Sequence, residues 1–184
     1  MLNFIFNPGD SLICRAWNNI VHEFLMNPSL GQAEYLFFID TDIDFTVEDF
    51  SRILSHRIEG IVCGHYYLKQ AKVQVCANVI PNEKPNEKGL IKVQDAGTGF
   101  MVIHRNVFKI LQEKMDASHW YTCDQNKDKR FSFFDAGVVN GRYLSEDWLF
   151  CYRARAAAIP VLIDTKVKLG HVGWITYPLE EKAA

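Results

Sequence analysis

Apolar residues between positions 11 and 26 fall on a helical stripe: Ile13, Ala16, Trp17, Ile20, Val21, Phe24 and Leu25. The spacing predicts an amphipathic helix, with Asp10 or Ser11 able to cap its start and Asn27-Pro28 to end it. The next segment, YLFFID, is apolar without alternation, the pattern of a strand covered on both faces. In TVEDFSRILSH, Thr46 and Asp49 stand in capping-box spacing at the head of a short helix. GIVCGHYYL then reads as a second buried strand. A helix, strand, helix, strand order predicts an α/β protein built on a mostly parallel sheet with helices on both faces.

The pattern changes after residue 70. KVQVCANVI is β-like, and PNEKPNEKG is a polar hairpin connection in which PNEK occurs twice in tandem. LIKVQDAGTGFMVIH predicts two short strands around a Gly-Thr-Gly corner. RNVFKILQEKM predicts a helix with Val107, Phe108, Leu111 and Met115 on its apolar side. SHWYTCDQNKDKRFSFFDAGVVNGRYL reads as a long aromatic loop with one strand at most. SEDWLFCYRARAAA is a helix, IPVLID a strand and TKVKLGHVGW a final extended piece. No linker interrupts the chain, so residues 1–184 form one expected domain, with an α/β front over residues 1–70 and a more irregular half over 71–184.

Composition narrows the function. A length of 184 residues with 48% hydrophobic and 23% charged content suits one globular core. The net charge of -2 gives no basic surface for nucleic acid or an anionic membrane, so neither is expected as a partner. No apolar run approaches the roughly 18 residues of a membrane span, and MLNFIFNPGD lacks the basic start of a signal peptide. The five cysteines form no Cys-x-x-Cys pair. They read as reduced, mostly buried thiols, hence a cytoplasmic protein rather than a disulfide frame or zinc site.

The candidate chemistry lies where YLFFI runs into Asp40, Asp42 and Asp44. On a continuing strand these alternate residues would share a face and repel. A divalent cation would relieve that repulsion. The carboxyl end of a strand is also where open α/β sheets place their ligands. A lone Asp here could simply cap the next helix. A phosphohydrolase of haloacid-dehalogenase-like type would use Asp40 as nucleophile and Asp42 as acid. That pattern needs Thr or Val where Asp44 stands, and a later Gly-Asp metal cluster that the sequence does not offer.

Taken together, GDSLICRAWNN, YLFFIDTDIDF, GHYYLK, AGTGFMVIHRNVF, YLSEDWLFCYRARAAAIPVLID and KLGHVG occur in a collinear order that resembles the GT-A-fold glycosyltransferases. The resemblance is to the small family-two-like enzymes of bacteria, phages and large viruses, and it covers most of the chain. It implies a Rossmann-like, mostly parallel sheet, a nucleotide-sugar-binding first half and an acceptor-side second half. It further implies Mn²⁺ or Mg²⁺ as cofactor, a nucleotide-diphosphate sugar as donor, and a glycan, lipid or protein hydroxyl as acceptor. Asp42 would bind the metal, Asp40 the sugar-nucleotide or a metal-bound water, and His171 would be a further metal ligand. Glu146 and Asp147 would form the family's acidic pair, with Asp147 the catalytic base. Gly97, Thr98, Gly99 and Phe100 would form the acceptor-side loop, and Arg15 and Asn18 would face the donor.

Each implied role has a plainer rival. Acids after an N-cap Ser145 complement the helix dipole in any protein. His171 on its own would be an ordinary histidine after a strand, and Arg15 and Asn18 ordinary surface or capping groups. Relatives of this kind open with a further strand and loop around the nucleotide base, whereas only LNFIF precedes GDSLICRAWNN; a compact variant and a truncated nucleotide site are both open. The competing functions are a nucleotidyltransferase, which would want a Gly-rich basic loop where NPGD stands, and an inactive domain binding sugar or a partner through Trp120 and Tyr121.

Overall fold

The computed structural model describes residues 2–7, 9–70 and 74–173. Helix α1 spans Ile13–Met26, two residues inside the expected start. Asp10 does not cap it by side chain; it accepts from the Leu12 amide at 3.0 Å and binds Arg15 instead. After a 3-10 turn at Pro28–Leu30 come β1 (Tyr35–Ile39), β2 (Ile43–Asp44), α2 (Val47–Ser55) and β3 (Ile61–His65). The capping box forms as expected: Asp49 N–H donates to Thr46 Oγ1 at 3.1 Å and Thr46 N–H to Asp49 Oδ2 at 3.0 Å. The second half holds β4 (Ala77–Val79), β5 (Leu90–Ala96), β6 (Phe100–His104), α3 (Arg105–Lys114), β7 (Trp120–Thr122), β8 (Lys129–Phe131), β9 (Gly137–Val139) and β10 (Arg142–Leu144). It closes with α4 (Glu146–Ala156), β11 (Val161–Lys168) and β12 (Gly170–His171). The start of the β-like segment around Lys72 and the end of the extended piece at Trp174 lie outside the described residues.

The mostly parallel, Rossmann-like sheet expected from the sequence is not what forms. Six strands make a mixed sheet in the order β1-β6-β3-β11-β5-β4. Among the described strands only β3 and β11 pair in parallel. The reason is a strand inserted between the two that the order of elements seemed to make neighbours. β1 and β3 run in the same direction, but β6 lies between them and is antiparallel to both. Likewise β5 runs antiparallel to β11 and carries β4 at the far edge. The Gly-Thr-Gly corner therefore does not close a hairpin, because β5 and β6 pair with different partners.

Position in the sheet decides burial. β3 is central and nearly all buried, as its sequence predicts. β1 is an edge strand: Leu36 and Phe38 are buried, Tyr35 and Phe37 half-buried, and Ile39 exposed. Alternation along β3 sends Ile61 and Cys63 to one face and Val62 to the other. On the first face Trp17, Val21 and Phe24 of α1 pack with Phe108 and Leu111 of α3 and Phe150 and Ala154 of α4. On the second, Ile53 of α2 packs with Val102, Val167 and Leu169. The aromatic segment expected to be a loop supplies two small hairpins, β7–β8 and β9–β10, because Phe131, Phe133 and Phe134 turn inward and tie it to the core.

All five cysteines are free. Burial pushes the Cys63 and Cys151 thiols far up and Cys76 to about 11, so these three stay protonated at neutral pH. Thiol titration of freshly purified protein should find all five after denaturation, and markedly slower reaction of these three beforehand. A stable intramolecular bridge would refute that expectation. No helix among the described residues is long and apolar enough to cross a membrane.

Candidate functional site

The strand directions bring the candidate residues to one edge. The carboxyl ends of β1, β3 and β11 face the same way, and the loop entering β6 starts there too. Asp40 follows β1, Tyr66 and Tyr67 follow β3, His171 follows β11, and Gly97–Gly99 lead into β6.

A tight turn resolves the crowding of the three aspartates. The Ile43 amide donates to the Asp40 carbonyl at 3.1 Å, which ends β1 and redirects the chain. Asp44 then leaves on β2, opposite Gly170 of β12, while Ile43 pairs with His171. The Val172 amide donates to the Asp42 carbonyl at 2.7 Å and closes this ladder. Two segments far apart in sequence are thus fastened backbone to backbone, with Asp42 and His171 side by side.

The imidazole is oriented for ligation. Its Nδ1 lies 2.8 Å from the Tyr67 carbonyl. A carbonyl only accepts, so Nδ1 carries the proton and the lone pair of the neutral ring is on Nε2. Nε2 faces Asp42 Oδ2 at 3.6 Å, too long for a hydrogen bond and close enough for both atoms to reach one cation. Ligating histidines are commonly held this way, with the far ring nitrogen donating to a carbonyl that fixes tautomer and orientation. Tyr66 supports the ring edge-on, with centroids 5.4 Å apart at 77°. The donor set, one carboxylate oxygen and one imidazole nitrogen, suits Mn²⁺ better than the oxygen-seeking Mg²⁺, with positions left over for phosphate oxygens. No group of three or more His, Cys, Asp or Glu among the described residues could hold a metal unaided.

The charge around this pair is uneven. Lys69 places its ammonium on Asp42 Oδ2, and that contact, ahead of His171, holds the Asp42 carboxyl below its ordinary value. Asp40 is reachable by solvent, yet desolvation of its carboxyl and then the Asp42 charge raise its pKa. The charge of Asp147 is also felt at Asp40, which puts the first turn of α4 within electrostatic reach of this cluster. At the start of α4, Asp147 Oδ1 accepts from the Ser145 hydroxyl and from the Trp148 amide at 2.8 Å. Its Oδ2 has no hydrogen-bond partner among the described residues. Burial outweighs both hydrogen bonds and raises the Asp147 pKa. Ser145 therefore orients the carboxylate rather than capping the helix.

The glycine loop is shaped from behind. The Gly99 amide donates to the Tyr66 hydroxyl at 3.0 Å, and the Asp40 amide to the Gly99 carbonyl at 2.9 Å. A Cβ on Gly99 would sit 2.7 Å from that hydroxyl and 3.2 Å from Asp40 Oδ2; one on Gly97 would collide with Tyr66 and Cys76. The missing side chains make room for Tyr66, which thereby links the loop, Asp40 and His171. Thr98 is buried between the two glycines, and Phe100 packs in the second core.

Arg15 and Asn18 are not brought to these carboxylates. Arg15 is 55% exposed and spent on Asp10, at 2.8 Å. Asn18 is 4% exposed and fully used by the backbone of Phe133 and Phe134: it accepts from both amides at 2.9 Å and donates to the Phe134 carbonyl at 2.8 Å. Helical periodicity cannot separate a cleft-facing Asn from one buried against a distant loop. Sequence reasoning also leaves Tyr66, Tyr67 and Lys69 without roles. Their signal is GHYYLK at the carboxyl end of a buried strand. A cavity of about 480 Å³ lies elsewhere, between residues 3–7, α1 and the β7–β8 region, and none of Asp40, Asp42, Asp147 or His171 lines it.

The fold and site define the class: an α/β protein with a mixed six-stranded sheet and a cluster of carboxylates and a histidine at the carboxyl ends of β1, β3 and β11. Among solved structures it is similar to the crystal structure of A197 from STIV, with a TM-score of 0.56 at 17% identity, covering 95% of this chain and 80% of that one. At that identity the likeness establishes a shared fold. No protein-family model matches the sequence, and no curated protein does.

Proposed function

We propose that the protein is a metal-dependent glycosyltransferase that moves a sugar from a nucleotide-diphosphate donor to an acceptor hydroxyl. The observation that carries this reading is the Asp42–His171 couple, with Nε2 aimed at Oδ2 and Nδ1 locked on the Tyr67 carbonyl. The collinear order of six sequence pieces, which resembles that of family-two-like enzymes, supports it.

In this reading Asp42 and His171 hold Mn²⁺ or Mg²⁺, and Asp40 binds the donor beside them. The bound cation supplies charge neutralisation for a departing diphosphate. The residues of the chain do the rest. Asp147 Oδ2, free of partners among the described residues while Oδ1 is held, takes the proton of the acceptor hydroxyl as it attacks. The pKa of Asp147, raised chiefly by burial, makes its ionised form a better proton acceptor than an exposed carboxylate. A base opposite the leaving group would invert the anomeric centre. Glu146 beside it strengthens the negative field that assists this proton transfer.

Calorimetry tests the site directly. Mn²⁺ should bind weakly alone and more tightly with a nucleoside diphosphate, because two protein ligands need phosphate oxygens to complete the shell. Asp42→Ala should abolish both. Equally tight Mn²⁺ binding without nucleotide, or no binding by wild type in either condition, would overturn the reading.

A further inference from the structure

We propose that Lys69 is a displaceable counter-ion that couples metal entry to capture of the diphosphate. The inference rests on the metal-dependent reading of the site, and names the residue that would recognise the donor's phosphates.

The coupling starts from one atom. Asp42 Oδ2 is the carboxylate oxygen nearest His171 Nε2, at 3.6 Å, and it is also the oxygen on which Lys69 places its ammonium. A divalent ion shared by Asp42 and His171 would therefore meet a resident cation. Two cations on one carboxylate oxygen repel, so Lys69 must leave as the metal arrives.

Its attachment permits that. Lys69 sits in a turn stitched by Leu68 N–H to the Gln74 carbonyl at 2.8 Å and by the Tyr67–Val75 bridge. The backbone is held, and the ammonium rides on a flexible four-carbon stem, a compact charge suited to phosphate. Both members of the pair stay reachable by water, at 31% and 42% side-chain exposure, so breaking it does not strand a buried charge.

Where the ammonium goes next decides the coupling. Asp40 is beside the site, but in the proposed reading it faces the incoming cation and donor and so is not free to receive the ammonium. An incoming diphosphate brings the strongest new negative charge. Metal alone must expel Lys69 with no replacement partner. Metal together with diphosphate gives Lys69 a phosphate oxygen in exchange for Asp42. The two ligands then favour one another, and the coupling is reciprocal.

The test uses the full chain, Mn²⁺ followed by electron paramagnetic resonance, and UDP and GDP as diphosphate probes. In K69Q, Mn²⁺ alone should bind roughly fivefold tighter than in wild type, the worth of a half-exposed ion pair. UDP or GDP should bind about fivefold weaker in the presence of Mn²⁺, and the mutual enhancement should shrink accordingly. K69R keeps the charge and should retain most of the coupling. Thermal melting of both variants should match wild type, since the ammonium bonds to Asp42 alone among the described residues, and at a solvent-exposed position.

If wild type and K69Q show the same enhancement, or K69Q binds Mn²⁺ no more tightly, the Lys69 inference fails while the glycosyltransferase reading stands. K69R behaving like K69Q would defeat the charge explanation in the same way. If wild type itself shows no enhancement between Mn²⁺ and either diphosphate, the functional reading fails and takes Lys69 with it.

Discussion

Asp147→Asn should lower turnover by roughly two to four orders of magnitude, the usual contribution of a general base. The change keeps the size of the side chain and an oxygen able to accept from Ser145 and the Trp148 amide, but removes the proton acceptor. Such a loss corresponds to about 3–5 kcal/mol of transition-state stabilisation. Donor affinity should barely move. The pH profile gives an independent readout. The base must be ionised, so the rate falls as pH drops through the Asp147 pKa, and burial places that limb above the ordinary carboxylate range. The stability linkage has the opposite sense. Because the folded-state pKa is raised, the protonated carboxyl favours folding below the unfolded value, and this contribution disappears as pH rises through the folded one. If Asp147 only complements the dipole of α4, the substitution should cost about 0.3–1 kcal/mol of stability and leave turnover nearly intact. Transfer at near wild-type rate would remove Asp147 from the mechanism and direct attention to Glu146.

Asn18→Leu should destabilise the protein by about 3–5 kcal/mol, a large part of the stability of a typical domain. Leucine has a similar size but cannot replace the three hydrogen bonds to Phe133 and Phe134: the Phe134 amide loses its partner, while the Phe133 amide and the Phe134 carbonyl keep only longer contacts, to the Phe131 carbonyl at 3.2 Å and the Ser132 hydroxyl at 3.4 Å. Each such group costs about 1–3 kcal/mol. The segment matters to the site because α4 grips it too, through Arg153 Nη1 on the Phe133 carbonyl at 2.8 Å, and α4 carries Asp147. A fall in melting temperature of roughly 10 °C is expected, with donor affinity in the surviving folded fraction little changed. A variant that melts like wild type but loses donor binding would restore the donor-facing role expected from sequence.

Local elements are legible in the sequence for α1, α2, α3, α4 and the central strand β3. Their periods and caps are short-range properties, and the Thr46–Asp49 capping box forms where its spacing places it. The hairpins β7–β8 and β9–β10 are not legible, because Trp120, Val138 and Tyr143 stay exposed and the segment is tied down by Phe134 between the hairpins, whose partners lie on α1 and α4. The pairing of strands is the larger difference. A buried strand shows that both faces are covered, not which strands lie at its edges, and β6 enters between β1 and β3 from later in the chain.

The candidate site divides along the same line. Asp40 and Asp42 stand out in the sequence because they end a buried apolar run, whereas Asp147 and His171 are singled out only through the resemblance to GT-A-fold glycosyltransferases. Arg15 and Asn18 cannot be placed that way, since one stripe of a helix looks the same whether it meets a cleft, solvent or a distant loop. Tyr66 and Lys69 acquire meaning only through what they touch: a hydroxyl behind Gly99 and His171, and an ammonium on Asp42. The sequence by itself determined the four helices, the central strand β3 and the carboxylates that end β1, because periodicity and capping act over a few residues. The tertiary structure alone decided strand order, the fastening of Asp42 beside His171 and the partners of Lys69 and Asn18, because these depend on contacts between residues far apart in the chain.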